Sequence, residues 1–209
     1  MPVSPLIFTA LRIEARVIER ALAGLSYEIQ IIGIGAKRLP DLTGRKNGCV
    51  LMAGFCGGLD PSLKVADLVV DSTSELQISN LELFRCAKMH TADHVIATAA
   101  EKAELFRRTG AAAVEMENAA VCAAVRRAGL PFLGLRAVSD TAAQAIDPAV
   151  LKICDDIGRP RLFATAALIL SRPGIVSQLR LLQSQSALAA AALGRGVRVV
   201  VEALNKGGS

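Results

Sequence analysis

The chain contains no tryptophan, one tyrosine and six phenylalanines among its 209 residues. Aromatics make up 3% and hydrophobic residues 52%, so Ala, Val, Leu and Ile must fill the core. The same scarcity argues against a single-strand nucleic-acid binder, which stacks bases on interleaved rings. Histidine is limited to His90 and His94. Their i, i+4 spacing falls in a segment that reads as strand and turn, so no metal and no cofactor is expected. Five cysteines (Cys49, Cys56, Cys86, Cys122, Cys154) form no Cys-x-x-Cys pair. Four lie in apolar surroundings, and buried reduced thiols in a cytoplasmic protein are expected. The first ten residues lack a basic n-region and a cleavage site, so no signal peptide is expected. Internal repeats and domain linkers are also missing, and this length suits one α/β domain.

The charge is unevenly placed. Residues 172–209 hold Arg172, Arg180, Arg195, Arg198 and Lys206 against Glu202 alone, a net +4 of the total +5. The remaining residues are close to neutral, which gives no reason to invoke nucleic acid as a partner. The tail's longest uncharged run, Leu181–Gly194, is well short of the ~20 residues that span a bilayer. Two readings of this basic, Ala-rich helical extension stay open. It packs on the domain or a dimer partner, or it lies on the inner membrane face with its arginines near headgroups.

Periodicity and turn signals give an ordered set of elements. Strands are expected at Pro5–Thr9, Tyr27–Ile34, Cys49–Ala53, Asp67–Asp71, Glu75–Ile78, Cys86–His90, Ala111–Met116 and Leu130–Val138. Helices are expected near Arg12–Leu25, Ala99–Thr109, Glu117–Ala128, Leu162–Leu170 and Ile175–Leu193, the last two separated by Arg172-Pro-Gly174. Gly54–Lys64 reads as a loop, and Ala99–Thr109 carries Glu101, Lys102, Glu104, Arg107 and Arg108 on its wet side. Alternating strands and helices indicate an α/β fold with a largely parallel or mixed sheet.

The chemistry concentrates in Val114-Glu-Met-Glu-Asn-Ala-Ala-Val121 and Leu130-Pro-Phe-Leu-Gly-Leu-Arg-Ala-Val-Ser-Asp140. Glu115, Glu117 and Asp140 stand at two joints between elements. Asp140 falls just past a strand apolar on both faces, where open α/β sheets put their ligands. Gly33-Ile-Gly35 followed by Lys37 forms a glycine turn able to hold an anion.

These segments resemble the purine nucleoside phosphorylase and nucleosidase superfamily, particularly its methylthioadenosine/S-adenosylhomocysteine nucleosidase branch. The matching residues are Val-Glu-Met-Glu and Arg-Ala-Val-Ser-Asp, together with Ala53-Gly-Phe-Cys-Gly-Gly-Leu-Asp-Pro-Ser-Leu-Lys-Val-Ala-Asp67 and Phe8-Thr-Ala-Leu-Arg-Ile-Glu14. The resemblance implies a three-layer α/β/α fold with a central mixed sheet and extra C-terminal helices, a homo-oligomer (a dimer favoured), and cleavage of a ribose–adenine bond.

In that scheme Asp140, preceded by Ser139, protonates purine N7. An ordinary Asp is ionised at neutral pH, so burial or a neighbouring acid is expected to raise its pKa. Glu117 grips the ribose 2′- and 3′-hydroxyls, and Met116 packs on the ribose face. Glu115 either orients the site or pairs with an arginine. Glu14 stands near the attacking water or is simply a first-turn helix acid favoured by the dipole. Gly54 and Phe55 bring backbone close to ligand, while Val95 lies in the segment that reads the base. Phe55 replaces the phosphorylases' phosphate-binding hydroxyl, and no matching phosphate arginines are present. Water is therefore the expected nucleophile, with a phosphorylase or a nucleosidase of soluble purine nucleosides such as methylthioadenosine as the alternative.

The stretch between Asp67 and Val114 is shorter than in the methylthioadenosine nucleosidases, which implies an open 5′ side. With the Arg-Pro-Gly tail, the chain resembles the hopanoid-associated phosphorylase subgroup. That resemblance implies a lipid-linked substrate, adenosylhopane, from which adenine is removed.

Overall fold

The computed structural model describes residues 4–45, 48–71, 73–74, 81–147, 155, 157, 171 and 174–207. In chain order the elements are β1 (Leu6–Thr9), α1 (Arg12–Ala21), β2 (Glu28–Ile31), β3 (Val50–Gly58), β4 (Leu68–Asp71), β5 (Arg85–Ala87) and β6 (Met89–Thr91). They continue with α2 (Ala99–Thr109), β7 (Ala113–Glu115), α3 (Asn118–Arg127), β8 (Phe132–Asp140) and α4 (Ile175–Gly207). The expected strand at Glu75–Ile78 and helix at Leu162–Leu170 lie outside the described residues.

One mixed eight-stranded sheet runs β2-β1-β3-β8-β4-β5. The β2, β1, β3 and β8 neighbours are parallel, and β4 runs antiparallel to β8. A short β6–β7 pair attaches to the carboxyl end of β3 through Gly57 and Gly58. Because side chains alternate along a strand, both faces are buried under helices. Ile7, Leu51, Leu133 and Leu135 face Ile18 and Leu22 of α1 and Leu193, Val197 and Val201 of α4. Phe8, Val50, Met52 and Phe132 face Val121 and Val125 of α3. The expected three layers are present.

Several boundaries differ from expectation. The Gly54–Lys64 stretch does not begin as a loop, because β3 continues to Gly58 in register with β8, with a bulge at Cys56/Gly57. The second strand is only Glu28–Ile31, and α1 stops at Ala21. Asp140 is the last residue of β8 instead of lying beyond it. Cys86 is exposed, whereas Cys49, Cys56 and Cys122 are buried as expected.

The tail differs most. Its helix runs to Gly207, because Ala189, Leu193, Val197, Val200 and Val201 recur every three to four residues and are buried. A Cβ at Gly194 would stand 3.2 Å from Ala21 and Val17, so α4 lies close against α1. Arg198 pairs with Glu202 at 2.7 Å and donates to the Ala21 carbonyl at 2.7 Å. The apolar face of this half of the tail packs into the core of the domain. In the first half, Leu181 is 50% and Leu188 59% exposed. No described helix is long and apolar enough to cross a membrane.

Candidate active site

Strand ends and helix starts converge on one cavity of about 170 Å³. Its wall includes Glu14 from α1, Phe55 from β3, Glu115, Met116 and Glu117 from the β7–α3 joint, and Ser139 and Asp140 from β8. Val95 stands on its rim. Of the residues expected from sequence, only Gly54 is not in the wall. It lies below, where an added Cβ would stand 2.6 Å from Arg136 Nη1 and 2.7 Å from Glu14 Oε1. Only glycine lets those two charged groups share that space.

Glu14 occupies the third position of α1. Its Oε2 accepts the Leu11 N–H and its Oε1 the Phe55 N–H, both at 2.8 Å. It is thus the helix-start acid and a wall residue at once. Burial raises its pKa to about 7, against the opposing pull of Arg136 and the two N–H donors.

Glu117 Oε1 accepts the Gly35 N–H at 3.0 Å, and Oε2 lies 3.3 Å from Arg136 Nη2. The Gly33–Gly35 turn does hold an anion, and that anion is the chain's own carboxylate. Gly35 adopts φ +70, a conformation favouring glycine. Burial raises the Glu117 pKa, with Arg136 and Gly35 opposing.

Glu115 resolves its two alternatives by doing both. Oε2 accepts the N–H groups of Glu117 and Asn118 at 2.7 Å each and Arg136 Nη2 at 2.6 Å. Oε1 accepts the Thr91 hydroxyl. It thereby fixes the start of α3, where the orphan helix N–H groups point.

Sequence reasoning missed two buried cations. Arg136 is fully buried beneath the carboxylates, and Glu115, Glu117 and Glu14 hold its charge against the cost of burial. Its Nε and Nη1 have no hydrogen-bond partner among the described residues. Lys102, expected on the wet side of its helix, is 0% exposed, and its Nζ lies 2.5 Å from Asp140 Oδ2. Burial or a neighbouring acid was expected around Asp140; it is buried, and the charged side chain against it is the basic Lys102. The signal for Lys102 was available, since it falls three residues before buried Leu105 on the same helix face.

A phosphorylase-superfamily model matches residues 76–157. No curated protein matches the chain. Solved structures match it from end to end. The 5′-methylthioadenosine/S-adenosylhomocysteine nucleosidase of Campylobacter jejuni has a TM-score of 0.63 at 14% identity, over 98% of this chain and 99% of that chain. The Neisseria meningitidis enzyme of the same name, in complex with methylthio-immucillin-A, has a TM-score of 0.63 at 15% identity, over 97% and 99%. Futalosine hydrolase of Helicobacter pylori has a TM-score of 0.62 at 17% identity, over 97% and 98%. The chain has their fold.

Proposed function

We propose that this protein hydrolyses the N-glycosidic bond of an adenine nucleoside and releases adenine. The observation that carries this reading is the convergence of Asp140, Glu117 and Glu14 on one apolar-walled cavity. The enzymes that share the fold support the reaction class. Asp140 protonates N7 of the leaving purine. Glu117, pinned by Gly35 and Arg136, accepts hydrogen bonds from the ribose 2′- and 3′-hydroxyls. Its negative charge stabilises the sugar more as it becomes cationic than in the ground state. Glu14, with a pKa near neutrality, takes the proton of the attacking water.

Water is favoured over phosphate by charge. Glu14, Glu115, Glu117 and Asp140 line the cavity, and the cations behind them, Arg136 and Lys102, are already engaged with carboxylates. A phosphate dianion would meet net repulsion.

The finer reading is adenosylhopane as substrate. Ile34, Val95, Ile96 and Ile146 give the cavity an aliphatic wall and rim. Gln178 of α4 donates to the Ala145 carbonyl, which sets the exposed Leu181 half of that helix beside the segment carrying Ile146. At ~25 cal/mol per Å² buried, a polycyclic substituent gains several kcal/mol over a methylthio group there.

The test measures adenine release from adenosylhopane, methylthioadenosine and adenosine, with and without phosphate and anionic vesicles. Adenosylhopane should be fastest, phosphate should not matter, and the sugar product should be free. Asp140→Asn should bind nucleoside yet turn over ~10²–10⁴-fold more slowly. Strict phosphate dependence with ribose 1-phosphate as product would instead make the protein a phosphorylase. Preference for the small nucleosides, without vesicle binding through residues 172–209, would remove the lipid-linked substrate.

A further inference from the structure

Lys102 Nζ has three oxygen neighbours, Asp140 Oδ2 at 2.5 Å, the Thr141 carbonyl at 2.8 Å and the Gln144 carbonyl at 3.0 Å. With the two carbonyls each taking one N–H, the remaining contact sets a single proton between Nζ and Asp140 Oδ2, where an ammonium–carboxylate and an amine–carboxylic acid pair make the same three contacts. Asp140 receives donors at both oxygens, because the Ser139 hydroxyl reaches Oδ1 at 2.7 Å. The same hydroxyl lies 3.1 Å from the Cys56 carbonyl and can turn to it when Oδ1 no longer needs its proton. Asp140 and Lys102 are both buried, and Lys102 is no part of the cavity wall. A carboxylate held this way cannot protonate a base unless a proton first reaches it. Among the described residues, two side chains donate to Asp140, the Ser139 hydroxyl and Lys102, and of these Lys102 is the one that carries a transferable proton near neutral pH.

We propose that Lys102 is the residue that supplies the proton Asp140 delivers to the purine, so that the two act as a single acid. This inference rests on the N-glycosidase reading above. As the C1′–N9 bond breaks, its electron pair goes to the purine, and N7 takes a proton from Asp140. An N–H bond of Lys102 breaks as an O–H bond forms on Asp140 Oδ2, leaving a carboxylate and a neutral amine after the transfer to N7. Water adds its oxygen to C1′ and leaves its proton on Glu14. That proton passes through solvent in the cavity to Asp140, which lines it, and from Asp140 Oδ2 back to the buried Lys102 amine, so no other reactant is consumed. Lys102 touches no substrate atom and acts only through Asp140.

The test exploits a leaving group that needs no proton. Cleavage of adenosine and of 4-nitrophenyl β-D-riboside is compared in the wild type, Lys102→Met and Lys102→Arg. Adenosine turnover should fall at least ~10²-fold in Lys102→Met at similar KM, while nitrophenol release stays within a few-fold. Lys102→Arg keeps the charge but cannot release a proton at neutral pH, so it should not restore adenosine cleavage. Thermal melts check each fold. If the Met variant does not fold, Lys102→Gln, which retains polar contacts to the two carbonyls, takes its place. Equal loss on both substrates, no loss on either, or rescue by Arg would overturn the proposal and leave Lys102 as scaffolding. A wild type that cleaves neither compound nor any other adenine nucleoside would overturn the N-glycosidase reading itself.

Discussion

Burial holds the Glu14 carboxyl at about 7, above its ordinary 4.5, and this has two consequences at the level of the single residue. As a base it works only when ionised, so turnover should rise as pH climbs through about 7, and Glu14→Gln should be slow at every pH. Stability moves the other way. The folded state favours the neutral acid, so this group's contribution is complete below the unfolded pKa of 4.5 and is lost as pH rises through 7. The loss amounts to roughly 3 kcal/mol by pH 8. Urea midpoints at pH 4.5 and 8 should therefore diverge more in the wild type than in Glu14→Gln. Equal slopes for the two proteins would show that Glu14 ionises as freely folded as unfolded.

The strand–helix–strand from β7 to β8 was legible in the sequence because it combines a two-sided apolar strand with carboxylates at its joints. The cavity wall follows from that segment and from the start of α1. Lys102 shares a face with buried Leu105, but its charge among Glu101, Glu104, Arg107 and Arg108 placed it with the wet side of α2 instead. Arg136 was hidden inside an apolar run, where its partners are separated by α3 and only the fold brings them together. The inner ends of these elements depend on Glu115. Glu115→Ala would strand the Arg136 guanidinium and release two N–H groups of α3, at a cost of about 3–5 kcal/mol, the range for a broken buried pair. Glu104→Ala, which breaks the exposed pair with Arg107, should cost no more than ~1 kcal/mol. Denaturant titration of the two variants side by side checks the contrast.

At the scale of the molecule, the core is closed by stretches far apart in the chain. The Arg198 side chain bonds the carbonyl of Ala21, 177 positions away, and α4 lies against α1 and the sheet. A Cβ at Gly196 would stand 2.7 Å from Leu68 Cδ1 and 3.3 Å from Phe84. Gly196→Val should thus lower the urea midpoint at unchanged m-value, by about 1–3 kcal/mol of overpacking. The order of strands carries a further consequence for how the protein is made. β8 belongs between β3 and β4, yet it leaves the ribosome long after both. Through that interval the hydrogen-bonding edges of β3 and β4 that β8 will cover have no partner, and Leu51, Ala53, Leu68 and Val70 on one face of these strands still lack α4, which completes their cover. Pairings over such long loops form slowly, because closure must precede reward. The nascent chain is thus a natural client for chaperones that bind apolar strands, and its greatest exposure to aggregation comes during synthesis, before β8 and α4 arrive.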